Sequence, residues 1–377
     1  MRVAIATESF LPQINGVTNS VMRVAEHLRD NGHQAIIIAP SDSSVPATYA
    51  GFPVTTIPSI SFPGYEDVRM GITPSFVMDR ILTDFAPDVL HAAAPFLIGS
   101  TALLTAAHFS IPSVAIYQTD VPSYAGRYRL GLMETAAWNR VRDIHALANL
   151  TLAPSTYARD QLLEHGVARV KIWGRGVDTE VFSPDHRDDA LHELWAPNGE
   201  VIIGYIGRLA PEKQVDDLQV LADIPGTRLV VVGAGPTRKA LKKSLPTAVF
   251  TGKLTGAELS RALATMDVFV HPGELETFCQ AIQEALASGV PSIAPAKGGP
   301  VDLIDSGHWG YLYPPGDLDA MRADVEQLVA DAKLRRRFSL AARDFTSTRT
   351  WPVICSQLMD YYREAMSMTA GAVPDLR

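Results

Sequence analysis

Two glutamates separated by seven residues are the strongest sign of chemistry in this 377-residue chain. Glu276 follows an apolar segment that predicts a strand at Val268–Val270, and Glu284 lies within a helix predicted at Cys279–Ser288. Eight helical steps would place them about 80° apart, so they need not share one face. They could contact two parts of one ligand. An ordinary helix with one exposed glutamate fits the spacing equally well.

Polar groups also gather where that helix begins. Thr277 is predicted as the N-cap, with Gln280 completing a capping box. The backbone amides of Phe278 and Cys279 then remain available to a ligand, because a helix N-terminus favours polar or anionic groups.

Two cations follow another predicted strand, Val201–Ile206, in the segment Gly207-Arg-Leu-Ala-Pro-Glu-Lys213. The Arg208 guanidinium offers a planar fork and the Lys213 ammonium a mobile point charge, a combination suited to a diphosphate. Taken alone, this spacing favours two solvated surface cations.

A glycine loop follows the first predicted strand, Arg2–Thr7. Gly16 would let a ligand approach the main chain, and the helix predicted at Val17–Asn31 points its N-terminus the same way. The G-x-G-x-x-G pattern of dinucleotide binding is absent. A turn glycine is an equally good interpretation.

The segment Tyr117-Gln-Thr-Asp120 ends a strand predicted at Val114–Tyr117 and could project side chains towards a ligand. Asp120 could act as a base or orient an acceptor, and a simple turn residue before Pro122 is an equal alternative.

Metal ligands are not predicted. Asp317 and Asp319 match a D-x-D pattern only in letters, because they begin a helix, where capping is the better interpretation. The ten histidines show no zinc spacing. The two cysteines, Cys279 and Cys355, cannot build a disulfide framework, which favours a reducing compartment.

Composition excludes several classes of protein. Apolar residues make up 47% and charged residues 20%, which is typical of globular domains rather than disordered, collagen-like or coiled-coil chains. The net charge of −8 argues against a nucleic-acid binder. The N-terminal apolar run is too short for a signal peptide, and no apolar stretch of about 18 residues occurs. We therefore expect a cytoplasmic protein that meets a membrane only peripherally.

Short apolar strands alternate with helices in two series, separated by a polar stretch at Ser183–Glu200 that we expect to be irregular. This pattern predicts an α/β fold with two doubly wound Rossmann-like domains facing across a ligand cleft. The first domain is expected at 1–180, with a returning helix at 351–377, and the second at 181–350.

Taken together, the glycine loop, G-R-x4-K and E-x7-E resemble the GT4 family of retaining glycosyltransferases. The resemblance spans about residues 1–365 and includes the segments Trp173–Asp178, Val230–Pro236, Ala287–Pro291 and Ala296–Pro300. Within the family, Val114–Pro122 and Arg208–Asp216 resemble actinobacterial GDP-mannose-dependent α-mannosyltransferases that act on glucuronosyl diacylglycerol. Sulfoquinovosyl diacylglycerol synthases are the next most similar.

This resemblance implies the GT-B architecture, no metal, no cofactor besides the nucleotide-sugar donor, and a site that can be assigned residue by residue. The implied catalytic residues are Arg208, Lys213 and Glu276, and the strand-end position adds Asp120 to this set. The implied donor contacts are Gly16, Arg208 and Lys213 at the diphosphate, Glu284 at the ribose, Lys253, Leu254 and Thr255 at the base, and Glu276 with the amides of Phe278, Cys279 and Gln280 at the sugar. The acceptor side would comprise Asn15, Tyr117, Gln118 and Asp120.

Two positions depart from the family pattern. Cys279 stands where many relatives carry glycine, and its small side chain still allows close approach of a ligand. Gln118 lies in a segment where many relatives carry a histidine. A glutamine cannot act as a general base, so that role is not carried over.

The resulting prediction is transfer of α-mannose from GDP-mannose to a membrane glycolipid. An alternative is hexosyl or sulfoquinovosyl transfer from a UDP-sugar to diacylglycerol, and another class is non-catalytic solute binding between two domains. Basic and aromatic residues of the first domain predict a patch for anionic lipid, although a solvated helix face fits equally well. These residues are Arg127, Arg129, Arg140, Arg142, Phe62, Tyr65, Tyr124, Tyr128 and Trp138.

Overall fold

The computed structural model describes residues 1–42, 44–62, 65–118 and 131–368, with main chain only at 61, 62, 65–70 and 131–133. The chain divides into two compact units. The first unit comprises Met1–Gly174 and returns from Pro352 onwards, and the second unit comprises Arg175–Trp351.

The first unit contains an eight-stranded sheet in the order β10-β9-β8-β7-β1-β2-β4-β3, parallel except for the β3–β4 pair. Strands β1, β2, β7, β8 and β9 are buried apolar runs, as expected for a parallel sheet covered on both faces. The strands, including the separate hairpin β5–β6, are β1 Arg2–Thr7, β2 Gln34–Pro40, β3 Thr48–Tyr49, β4 Phe52–Ile57, β5 Ser59–Phe62, β6 Tyr65–Gly71, β7 Val89–Ala93, β8 Ser113–Ile116, β9 Leu150–Ala153 and β10 Val170–Ile172.

Helices connect these strands. α1 shows how the sequence sets both ends: the Asn15 side chain accepts from the amides of Val17 and Thr18, and Gly32 follows the last turn with a φ of +69°. The helices are α1 Gly16–Asp30, α2 Ser75–Phe85, α3 Ile98–His108, α4 Gly131–Ala146 and α5 Thr156–Glu164.

The second unit contains a six-stranded parallel sheet in the order β13-β12-β11-β14-β15-β16. β11 lies at its centre and pairs with both β12 and β14. The strands are β11 Val201–Ile206, β12 Thr227–Val232, β13 Val249–Gly252, β14 Val268–Val270, β15 Ser292–Pro295 and β16 Gly310–Tyr313.

The helices of this unit are α6 Asp189–Trp195, α7 Arg238–Ser244, α8 Gly256–Thr265, α9 Gln280–Ala287, α10 Pro300–Leu303, α11 Leu318–Ala330 and α12 Ala332–Ser347. Short 3₁₀ helices span Pro184–His186, Pro211–Lys213 and Val215–Leu221. The expectation of an irregular stretch at Ser183–Glu200 is wrong, because Asp188 caps α6 and Trp195 is buried.

The last helix, α13 (Trp351–Ser367), packs on the first unit. The buried Tyr362 hydroxyl lies 2.6 Å from Nδ1 of His91, and the Tyr361 hydroxyl donates to the Ile172 carbonyl. Burial lowers the pKa of His91 to about 3, so this contact involves a neutral imidazole at physiological pH.

Candidate active site

Lys213, predicted at the diphosphate, and Glu276, predicted at the sugar, meet at the carboxyl end of the second sheet. β11 and β14 are parallel neighbours, with Gly204 opposite Phe269, so their carboxyl ends lie side by side. The Lys213 ammonium lies 2.5 Å from Oε1 of Glu276, although the residues are 63 positions apart. Their side chains are only 19% and 14% exposed. The structure therefore joins two motifs that the sequence treats separately.

A histidine that sequence reasoning did not assign completes this cluster. His271 follows β14, is 2% exposed, and has its Nε2 2.9 Å from the same Oε1 of Glu276. Its ring stacks on Tyr205 at 5.8 Å between centroids, and the Tyr205 hydroxyl donates to the Arg208 carbonyl. The only sequence signal was its position at the end of an apolar strand.

Charge on Glu276 is strongly stabilised. Burial alone would raise the pKa of this carboxyl, but the Lys213 charge and the His271 hydrogen bond overcome it and hold the pKa at about 2. Glu276 is therefore an anion throughout the physiological range.

Glu284 behaves in the opposite way. Burial raises the pKa of Glu284 to about 8, against the effects of a hydrogen bond from Gln280 and the charge of Arg175. Arg175 is itself buried, which lowers its pKa to about 10. Sequence reasoning assigned no role to Arg175, which stands in the Trp173–Asp178 segment.

The start of α9 differs from the capping-box prediction. The helix begins at Gln280, and its N-cap is Cys279, in the left-handed region with a φ of +72° and no side-chain cap. The Thr277 cap is therefore wrong. No described residue accepts a hydrogen bond from the amides of Phe278, Cys279 or Gln280, so all three remain available to a ligand.

Close glycine packing explains why this loop departs from the local capping rule. A Cβ placed on Gly299 would lie 2.2 Å from Cα of Phe278, and one on Gly298 would lie 2.4 Å from the Glu276 carbonyl. The Gly299 amide donates to that same carbonyl at 2.7 Å. The Gly-Gly pair thus fixes the main chain that carries Glu276.

The Arg208 loop is held in the same way. A Cβ on Gly233 would lie 1.9 Å from the Gly207 carbonyl oxygen, and the Leu209 amide donates to the Ala234 carbonyl. Arg208 itself is exposed, and its side chain makes no ion pair with any residue that the structure describes.

The residues predicted at the base follow β13, at the outer end of the sheet order and two strands from β11. Lys253 is exposed, Leu254 packs against the core, and Thr255 precedes α8. A cavity of about 560 Å³ is lined by the next two residues, Gly256 and Ala257, together with Glu180, Val181, His186, Ser260 and Arg261.

In the first unit, Asn15 and Gly16 follow β1 and are exposed. The Asn15 side-chain oxygen accepts hydrogen bonds from two backbone amides of α1, and its Nδ2 donates to the Ser9 hydroxyl at 2.7 Å. Asn15 thus supports the glycine loop locally.

The strand-end segment after β8 differs from expectation. Tyr117 is 3% exposed and stacks on Trp138 in the core, so its position does not support contact with an acceptor. Gln118 is also buried, and Asp120 lies outside the described residues.

The predicted lipid patch also changes. Trp138 is 6% exposed and stacks on His165, so it cannot belong to a surface patch. Arg142 pairs with Asp143, and Arg140 donates to the Ser100 hydroxyl. The other members are either outside the described residues (Arg127, Arg129, Tyr124 and Tyr128) or described by main chain only (Phe62 and Tyr65).

Within the described part of the chain, one group has metal-ligand atoms within 4.8 Å of one another: His271, Glu276 and Cys279. The Lys213 ammonium already contacts the carboxylate oxygen that His271 shares. A positive charge at this point opposes the binding of a metal cation.

Family models cover both units. One described as Glycosyltransferase Family 4 matches residues 14–181, and one described as Glycosyl transferases group 1 matches residues 187–345. A GDP-mannose-dependent alpha-mannosyltransferase from Mycobacterium tuberculosis is 48% identical over 96% of each chain. The chain belongs to glycosyltransferase family 4. The predicted enzyme class is confirmed, and non-catalytic solute binding is excluded.

Other similarities agree with this assignment. A sulfoquinovosyl transferase from Arabidopsis thaliana is 32% identical over 93% of this chain and 71% of its own length. The crystal structure of Anabaena Alr3699/HepE in complex with UDP superimposes with a TM-score of 0.78 and 18% identity, covering 97% of this chain and all of that one. The predicted GT-B fold, with two Rossmann-like α/β domains, is confirmed. No described helix is long and apolar enough to cross a membrane.

Proposed function

We propose that this family 4 glycosyltransferase moves α-mannose from GDP-mannose to a glycolipid at a membrane surface, with retention of configuration. The observation that carries the proposal is the 48% identity with a GDP-mannose-dependent alpha-mannosyltransferase over nearly the whole length of both chains. Glucuronosyl diacylglycerol is the acceptor we propose, from the resemblance of the Val114–Pro122 and Arg208–Asp216 segments.

The site supports this reaction because its barrier lies largely in placing negative charge on the departing diphosphate. Arg208 and Lys213 both belong to the segment that follows β11, and Arg208 is exposed, so we propose that the two cations bind one diphosphate. Preorganised cations of this kind stabilise developing charge without a metal. We propose that no metal takes part.

The sugar would bind an ionised glutamate, Glu276, and the ribose a largely protonated one, Glu284. Glu276 is anionic and can accept hydrogen bonds from sugar hydroxyls, together with the amides of Phe278, Cys279 and Gln280 as donors. With its pKa at about 8, Glu284 is largely protonated at neutral pH, so its carboxyl can both donate to and accept from the ribose hydroxyls.

Sulfoquinovosyl transfer from a UDP-sugar is the second candidate. The 32% identity with the Arabidopsis enzyme favours it, and the same diphosphate contacts would serve a UDP donor. Base selectivity would then depend on the segment from Lys253 to Thr255.

The test supplies radiolabelled GDP-mannose, UDP-glucose and UDP-sulfoquinovose in parallel, with vesicles containing either glucuronosyl diacylglycerol or diacylglycerol. We expect label to move from GDP-mannose to glucuronosyl diacylglycerol only, and NMR of the product to show an α linkage. Transfer from UDP-sulfoquinovose to diacylglycerol would replace the first candidate with the second. A β-linked product would refute retention. Vesicle flotation with and without anionic lipid tests peripheral binding separately.

A further inference from the structure

Glu276 receives two hydrogen-bond donors on one oxygen. The Lys213 ammonium and Nε2 of His271 both contact Oε1, and no described residue donates to Oε2. Oε2 is therefore the oxygen that can accept a hydrogen bond from a ligand. The pair of donors on Oε1 then determines where Oε2 points.

The two donors differ in mobility. The Lys213 ammonium is carried by a long, flexible side chain. His271 is buried, and its ring stacks on Tyr205 with an interplanar angle of 18°. Gly273 packs close to the ring, since a Cβ there would lie 3.1 Å from Nε2 of His271. His271 is therefore the donor whose hydrogen bond to Oε1 of Glu276 is held in place by packing.

A bound diphosphate would compete with Glu276 for Lys213. Its oxygens carry more negative charge than one carboxylate, so the ammonium would be drawn towards them. Glu276 would then be a buried anion with one remaining donor. We propose that His271 is a positioning residue, which holds Glu276 in place beside the donor sugar after Lys213 has turned to the diphosphate. This role rests on the proposed function.

The hydrogen-bond pattern fixes the chemistry of the ring. Nε2 must carry the proton, because it faces an ionised carboxylate. Nδ1 is buried and has no hydrogen-bond partner among the described residues. The ring is therefore held by its stacking on Tyr205 and by the hydrogen bond from Nε2 to Glu276.

The first test needs no substrate. His271→Phe keeps a flat ring against Tyr205 but removes the N–H, whereas His271→Gln keeps an N–H within reach of Oε1 but removes the ring. Lys213→Met imitates withdrawal of the ammonium. We expect His271→Phe to lower the thermal unfolding midpoint about 4 °C more in the Lys213→Met background than in the wild type. His271→Gln should show little of this excess.

A double variant that fails to fold, while both single variants fold, is the extreme form of the expected result. Additive effects, to within about 1 °C, would refute the proposal, because they would mean that the two donors do not substitute for each other. Equal excess losses for the phenylalanine and glutamine variants would refute it too, since they would indicate simple packing.

The second test measures turnover with whichever labelled donor the wild type uses. For His271→Phe we expect kcat/KM to fall about 10–100-fold, as is usual when a partner that orients a functional side chain is removed. The Kd for the nucleoside diphosphate alone should stay within about twofold, because it carries no sugar. His271→Gln should recover most of the turnover.

Unchanged turnover in His271→Phe, or an equal loss of nucleotide binding, would overturn the role of His271. If the wild type uses a UDP-sugar instead, the proposed donor is wrong, but the same comparison with that donor and UDP still decides the role of His271. The two failures are therefore distinguishable.

Discussion

Removing Lys213 should destabilise the second unit as well as stop catalysis, because its partner is a largely buried carboxylate. The difference between an ordinary pKa of 4.5 and the pKa of about 2 for Glu276 corresponds to about 3 kcal/mol of stabilisation at neutral pH. Lys213 and His271 supply it, and the Lys213 charge makes the larger contribution. We therefore expect a coupling free energy of about 2 kcal/mol between Lys213 and Glu276.

The assay is a double-mutant cycle with Lys213→Met and Glu276→Gln, followed by urea denaturation at pH 7. Because the folded-state pKa of Glu276 is lowered, the stabilisation is fully present above about pH 4.5 and declines as the pH falls towards 2. The Lys297–Glu274 pair provides the control. Its atoms are 3.1 Å apart, but its side chains are 35% and 21% exposed, so its coupling should stay below about 1 kcal/mol. A Lys213–Glu276 coupling no larger than this control would refute the reasoning.

Three further predictions concern neighbouring residues. Arg208→Ala should reduce kcat/KM by about 10²–10³ while the free energy of unfolding changes by less than about 0.5 kcal/mol, because the side chain is exposed; a destabilised variant would contradict this. Glu284→Gln should gain stability relative to the wild type as the pH rises from 5 to 8, because burial raises the pKa of Glu284 to about 8 and disfavours its charged form; parallel stability profiles would contradict it. Gly299→Ala should cost at least about 2 kcal/mol and most activity, because its Cβ would strike the main chain of Phe278. Gly226→Ala, where φ is +71° but space is open, is the control and should leave activity intact.

The sequence was sufficient for the architecture and for the segments that carry the site. Strands such as Val201–Ile206 and Val268–Val270 are apolar runs with clear boundaries, and the structure has them at those residues. Because β11 and β14 are parallel, Arg208 and Glu276 both follow the carboxyl ends of their strands, on the same side of the sheet. None of this requires knowledge of side-chain contacts.

Contacts between distant segments could not be predicted. Whether Lys213 reaches Glu276 depends on the pairing of β11 with β14, which no local pattern specifies. His271 and Arg175 were missed for a similar reason, because the stacking of His271 on Tyr205 and the burial of Arg175 appear only in the folded chain. Local rules failed where tertiary packing overrode them. At Thr277, the approach of Gly299 to Phe278 replaced the expected cap.

Aromatic residues were misplaced for a related reason. Tyr117 is predicted to face a ligand because it ends a strand, and Trp138 is predicted in a lipid patch because it stands near Arg140 and Arg142 in the sequence. In the structure Tyr117 stacks on Trp138 of α4, and Leu162 of α5 lies in the same cluster. A single aromatic side chain carries no periodicity, so only the packed structure could show which way it points.

We propose above that Arg208 and Lys213 hold the departing diphosphate while Glu276 contacts the sugar. A crystal structure of the protein with GDP-mannose tests this most directly. We expect phosphate oxygens within hydrogen-bond distance of both cations, and a mannose hydroxyl on Oε2 of Glu276 with His271 still on Oε1. A diphosphate bound away from Arg208 and Lys213 would contradict the account.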